Sequence, residues 1–254
     1  MKCNSPKNFP WRLATFFIVN YSKRQVCLNS LKRKEFSMQS CLVKRAAASV
    51  DFARGFDSPV WNGADTQKLG FILPESSSHH PDVRVRILYD DRNIYGFFTV
   101  QDRYVRAIRQ ADQEQVCQDS CVEFFVKPAG SDKYFNFEMN CGGVLLLYHI
   151  RSLESQDYIK VPQKDLDTIE RYHTLPRIVN PEIATPVGWQ LGFRIPIDFF
   201  VRYSGISPQL SGQRWRANFT KCADHTSHPH WLSWMPLSKL SFHLPDEFGE
   251  LIFE

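Results

Sequence analysis

The stretch Tyr134-Phe135-Asn136-Phe137-Glu138-Met139-Asn140-Cys141 alternates without a break. Successive side chains of a strand point to opposite faces, so Phe135, Phe137, Met139 and Cys141 share one face and Tyr134, Asn136, Glu138 and Asn140 the other. The stretch predicts a β-strand with one side in a core and the other carrying amides and a carboxylate. Upstream, Val122-Glu123-Phe124-Phe125-Val126 reads as a strand that stops at Pro128, joined to the first by the turn Ala129-Gly130-Ser131-Asp132. Downstream, Gly142-Gly143 followed by the apolar 144–148 run predicts a second hairpin. The same period recurs in Val83, Val85, Ile87 and Tyr89, whose return strand follows the polar turn Asp90-Asp91-Arg92-Asn93, in Trp189, Leu191, Phe193 and Ile195, and in Trp215, Ala217 and Phe219. Helix is confined to short turns: one within the polar stretch 110–118, and one at 196–200, where Pro196 stands at the start. Many short strands separated by turn signals, with no internal repeat, predict an all-β, antiparallel β-sandwich of immunoglobulin-like or jelly-roll type over residues 46–254.

Composition agrees with one sizeable β domain. The chain has 254 residues, 43% of them hydrophobic and 14% aromatic, and aromatic side chains suit a pleated, half-buried surface. No run of about 18 apolar residues exists, so no helical membrane span is expected. Charge is uneven: residues 1–45 hold ten Lys/Arg and the single acid Glu35, whereas 46–254 hold 21 basic and 26 acidic residues. The positive charge therefore sits in a leader and not in a basic domain, which argues against a nucleic-acid partner. The 1–45 leader reads as an over-extended or disordered segment, with Met38 as an alternative start; a degenerate export signal and a structured element are the other readings. Its apolar stretch, Leu13 to Val19, is shorter than a secretory signal needs, which leaves the compartment open. Seven cysteines without a C-x-x-C pair read as small buried hydrophobes.

Two regions carry candidate chemistry. The first is the polar face of the strands: Asn136 and Glu138 in one row, Arg216, Asn218 and Thr220 in another, and Glu123 after Asp119-Ser120. Side by side they form a sheet of amides and carboxylates suited to sugar hydroxyls, although a solvated outer face has the same pattern. The second is the loop-like stretch 222–249, rich in Trp, Phe and His. Phe242, between turn residues, is a candidate ring for stacking on a sugar, while Trp234 and Phe248 read as caps on the core. Asp224 with His225, His228 and His230 raises a metal reading, but metal ligands are usually fixed by helix or strand spacing, so loop contacts are the preferred reading.

The order Trp61-Asn62-Gly63-Ala64, then 83–95, Val100-Gln101-Asp102, Asp119 to Phe125, Tyr134 to Asn140, Trp215 to Phe219, Ser233-Trp234 and Phe242 to Gly249 resembles the family 9 carbohydrate-binding modules and related DOMON-like sandwiches over residues 55–254. The resemblance implies non-catalytic carbohydrate binding in polysaccharide breakdown, with a sugar between two aromatic rings. Glu123 matches the family's sugar-contacting carboxylate, Phe242 falls where one stacking ring lies, and Asn136 falls near a contact on the neighbouring strand; Glu138, Arg216 and Asn218 complete the expected site. The place of the other ring holds Val116-Cys117-Gln118, with Tyr104 or Tyr134 as substitutes. The resemblance also implies structural calcium, although no dense acidic loop marks a site; no other cofactor is implied. Two alternatives stand beside it. One is a glycoside hydrolase or hydrolase-associated protein, since such modules are attached to xylanases and Glu123 and Glu138 are paired acids. The other is a haem or redox domain using Met139 or Met235.

Overall fold

The structure, a computed structural model, describes residues 38–254. Among these, sixteen strands follow in chain order: β1 Ser40–Arg45, β2 Gln67–Lys68, β3 Phe71–Ile72, β4 Asp82–Tyr89, β5 Asn93–Asp102, β6 Val105–Ala107, β7 Cys121–Lys127, β8 Tyr134–Asn140, β9 Leu145–Ser152, β10 Asp157–Lys160, β11 Glu170–His173, β12 Val179–Ile183, β13 Val187–Pro196, β14 Arg214–Cys222, β15 Trp231–Ser233 and β16 Gly249–Phe253. Helix is limited to α1 Gln163–Leu166, α2 Ile197–Ser204 and four short 3₁₀ turns. The main ladder runs β10-β9-β8-β7-β14-β16-β1-β4-β5-β13-β11. It doubles over at β1. Ser40 to Val43 pair with β16, and Lys44 and Arg45 pair with β4. Both pairings are parallel, which is the one departure from the antiparallel order expected for these main strands.

The two halves face each other across one core. Phe124 of β7 stacks on Phe193 of β13 (centroids 5.4 Å apart) and on Phe219 of β14 (5.5 Å), and Phe219 meets Phe98 of β5 edge-on at 6.1 Å. Phe135, Phe137, Met139 and Cys141 all lie in this core, as their alternation predicts. Met139 and Met235 fill it too, so neither thioether faces a cofactor pocket. Trp234 is fully buried, as is Phe248. The Trp234 ring lies so close to Gly249 that a Cβ there would sit 2.5 Å from Cζ3, which explains the glycine that opens β16. No helix among the described residues is long and apolar enough to cross a membrane.

The expected domain edge at residue 46 shifts. Ser40–Arg45 form β1, with Cys41 and Val43 fully buried. The basic residues around β1 hide a short strand whose inward side chains are only two. The part of the expected leader before Met38 lies outside the described residues.

At one end of the sandwich a buried polar cluster ties the halves together. Lys221 of β14 and Asp102 of β5 are both fully buried, with Nζ 3.7 Å from Oδ2. Lys221 Nζ also donates to the Cys222 carbonyl (2.9 Å) and to His230 Nε2 (2.7 Å). Asp102 accepts from His79 Nε2 (2.7 Å), Arg103 N (2.7 Å) and Trp189 Nε1 (3.2 Å). Burial alone would raise the Asp102 carboxyl; the Lys221 charge and the His79 bond overcome it and hold it below the usual carboxylate range. Burial and the same lysine push His230 down to about 3, so its ring stays neutral and accepts the lysine's proton.

Two tests follow from this architecture. Lys221→Met leaves the buried Asp102 without its ammonium partner, and removing one partner of such a pair costs about 3–5 kcal/mol; a loss under ~1 kcal/mol in urea unfolding would show that the pair does not hold the halves. A chain starting at Ala46 should be at least ~3 kcal/mol less stable than one starting at Met38, because two buried side chains and a ladder go with β1; equal melting temperatures would show β1 to be dispensable.

Candidate functional site

The outward face of β7, β8, β9 and β14 brings the polar row together. Glu123 lies directly opposite Glu138 on β8 and Thr220 on β14, and Phe125 lies opposite Asn136 and Asn218. Tyr148 on β9 lies opposite Asn136. Residues directly opposite share a face with Cβ atoms about 4.5–5.5 Å apart, so the two carboxyl groups are neighbours.

Uncharged side chains donate to these carboxyls. Glu123 accepts from the Thr220 hydroxyl (2.7 Å) and the Cys222 thiol (3.1 Å). Glu138 accepts from the Asn136 amide (2.7 Å), and its Oε2 and Asn136 Oδ1 have no partner. Glu123 is 3% exposed and Glu138 6%. Burial lifts Glu123 to about 7, against the pull of its two donors. Burial, then the neighbouring Glu123 charge, raises Glu138 well above 4.5. Burial and the nearby acids also push up Cys117, and burial raises Cys121 and Cys222, so these thiols stay protonated and unreactive.

Aromatic side chains ring this floor. Tyr148 and Tyr158 meet edge-on at 5.6 Å, Lys160 Nζ lies 5.7 Å from the Tyr148 ring centre, and the Trp231 indole donates to Asp224 at 2.8 Å. Tyr148, Tyr158, Trp231, Cys117 and Leu237 are half-buried against a second apolar cluster that includes Phe125, Leu146, Phe242 and Phe248. An apolar rim around a floor of acceptors and amides matches a sugar ring, with its C–H faces and its hydroxyls. A neutral carboxyl adds an O–H donor to the acceptors. The arrangement does not suit glycoside cleavage, where two carboxyls flank the scissile bond; Glu123 and Glu138 approach from one side of one sheet.

The family model described as Carbohydrate-binding family 9 matches residues 60–253. This chain belongs to carbohydrate-binding family 9. Among solved structures it resembles a protein from Bacteroides uniformis ATCC 8492 described as a candidate carbohydrate-binding protein, at 32% identity and TM-score 0.76, over 86% of this chain and all of that one. It also resembles a family 9 module from Caldicellulosiruptor kristjanssonii solved with glucose, at 12% identity and TM-score 0.55, over 85% of this chain and 96% of that one. The complex of a family 9 module from the same organism with cellotriose gives 13% and 0.57, over 85% and 94%. No curated protein matches the chain. Family 9 membership brings with it carbohydrate binding without catalysis.

Of the six expected contacts in this family 9 chain, Glu123, Asn136 and Glu138 converge and three do not join them. Phe242 is 9% exposed and packs edge-on against Phe125 at 6.3 Å, inside the second cluster and not as an open platform. Asn218 is buried and accepts from Met235 N at 3.0 Å, so it anchors the C-terminal segment. Arg216 turns to the Phe248 and Asp246 carbonyls, farther along the face. The substitute rings are also engaged: Tyr134 bonds His243 Nδ1 at 3.0 Å, and Tyr104 stacks on His228 at 3.6 Å. Tyr148, Tyr158 and Cys222 were not expected at the site, whereas Thr220 stood in the predicted polar row; the outward alternation of their strands was the signal available for them.

Asp224, His225, His228 and His230 form no common group of ligand atoms among the described residues, in line with the preferred reading of loop contacts. His230 joins His79 and Asp102 with ligand atoms within 4.8 Å of one another, and the Lys221 ammonium already bonds His230 there. Cys121, Glu123 and Cys222 form a second such group. Calcium takes six to eight oxygens, and each group offers a single carboxylate beside nitrogen or sulfur, so neither fits the calcium that the resemblance implies.

The raised carboxyl of Glu138 has a measurable consequence. A group that keeps its proton in the folded state while the unfolded chain releases it near pH 4.5 loses stability as pH rises, because the folded state then binds more protons. Glu138→Gln should therefore match wild type at about pH 4.5 and out-melt it at about pH 7, by roughly 2–4 °C per kcal/mol recovered. A constant difference between the two proteins across that range would show Glu138 to be ordinarily ionised.

Proposed function

We propose that the chain binds a neutral glycan over the Glu123–Glu138 floor, with Asn136 as the amide contact and Tyr148, Tyr158 and Trp231 as the rim, and serves the breakdown of polysaccharide by holding it and not by cutting it. The supporting observation is the pair of buried acceptors without a partner, Glu138 Oε2 and Asn136 Oδ1, beneath half-buried aromatic rings on one sheet face. Buried polar atoms are nearly always paired, so two unpaired ones side by side suit a ligand's hydroxyls. Hydrogen bonds to neutral carboxyl and amide groups contribute about 0.5–1.5 kcal/mol net each, and covering the C–H face adds about 25 cal/mol per Å². Ordering the ligand and dehydrating the carboxyls offset much of this, so the affinity expected is modest.

Glucose and cellotriose, the ligands of the Caldicellulosiruptor modules, are the first compounds to titrate. By calorimetry after a glycan array, Tyr148→Ala and Glu123→Gln should each weaken the best ligand about tenfold or more, or ~1.4 kcal/mol. Phe242→Ala should act chiefly on stability, costing about 3–5 kcal/mol, as expected for a buried ring. A ligand bound equally well by wild type, Tyr148→Ala and Glu123→Gln would place the site elsewhere.

A further inference from the structure

The far end of the same face carries opposite charge. Lys127, the last residue of β7, lies directly opposite Arg216 of β14. Like charges at that ladder position repel, and Glu250, opposite Arg216 on its other side, offsets part of the charge. Arg214, two residues away on the same face of β14, is also cationic and pairs with Glu250 at 2.6 Å. Arg216 spends one Nη on the Phe248 and Asp246 carbonyls, and its buried Nε has no partner. Lys127 is half-buried and has no ion pair among the described residues. These three cations and the 128–131 turn line a cavity of about 340 Å³ in which Asp246 is the one acidic residue. Residues 46–254 are net acidic, so a cationic hollow there is not a general property of their surface.

We propose that this cavity is a second binding site, for the anionic substituent of a glycan, a uronic acid carboxylate or a sugar sulfate. An anion seated between Lys127 and Arg216 relieves their repulsion. A guanidinium and an ammonium together make the charge-assisted bonds that hold carboxylate and sulfate oxygens. The site is separate from the carboxyl floor. Lys127 stands four residues beyond Glu123 on β7, about 13 Å at strand rise, with Phe125, Phe242 and Phe248 between them. The basic cavity attracts an anionic sugar, whereas the floor of carboxyl and amide groups suits a neutral one. That the ligand is a glycan rests on the carbohydrate-binding reading above; that it is anionic rests on the cavity alone.

The test uses the full chain, wild type and Lys127→Glu, titrated by calorimetry with trigalacturonate, with a sulfated trisaccharide and with cellotriose. Wild type should bind at least one of the two anionic sugars, and Lys127→Glu should weaken that binding tenfold or more while leaving cellotriose unchanged. Which anionic sugar binds identifies the substituent. Added salt should weaken the anionic ligand and not cellotriose, since screening acts on charge. Absence of binding by both anionic sugars overturns the proposal. So does anionic binding that Lys127→Glu leaves intact, as binding to the basic stretch 1–45 would be. Failure of cellotriose alone bears on the carboxyl floor and leaves the cavity standing.

Discussion

One strand holds the two halves of the sandwich in place. β1 gives its first four residues to β16 and its last two to β4, so a single run of backbone belongs to both ladders. Buried backbone groups must be paired, and here Ser40–Arg45 pair throughout by passing from one ladder to the other. The inward rings of Phe124, Phe193 and Phe219 then meet across the gap, and the Lys221–Asp102 pair closes one end. With the inner register set by those rings, the opposite face of β7 and β8 has no freedom either: Glu123 and Glu138 must point outward, next to each other.

What happens on that outward face departs from the usual sandwich, in which the outer side of an antiparallel sheet is wet. Here Val116–Gln118, the segment around Phe242 and the Trp231 side chain cover much of it with a second apolar cluster. The covering changes the chemistry of the acids beneath it. Two carboxyls that would be ordinary surface charges are instead held towards their neutral forms, with hydroxyl, thiol and amide groups donating to them. The same face changes sign within four residues, from Glu123 to Lys127, because β7 leaves the covered region and ends beside Arg216.

The rings on this face differ from those read in the sequence. Phe242, expected to stack on a sugar, packs inside the second cluster, and Tyr148 and Trp231 lie half-buried against that cluster instead. Such an exchange is physically inexpensive, since an aromatic side chain can serve the rim from any strand or loop that ends nearby.

The sequence by itself determined the all-β sandwich, the inner and outer faces of β7, β8, β13 and β14, and the grouping of Glu123, Asn136 and Glu138. Each follows from period-two alternation, which is local and survives without knowledge of partners. It also marked Trp234 and Phe248 as core. Tertiary structure alone decided that Ser40–Arg45 is a strand, because two inward residues amid basic ones make no visible period. It decided that Phe242 and Asn218 serve packing, that Arg216 faces a separate cavity, and that His230 accepts from Lys221. Those outcomes depend on which distant segments lie over a face: 195 residues separate Gln39 from Trp234, whose carbonyl it bonds, and 109 separate Tyr134 from His243. Alternation states which way a side chain points; only the folded chain states what meets it there.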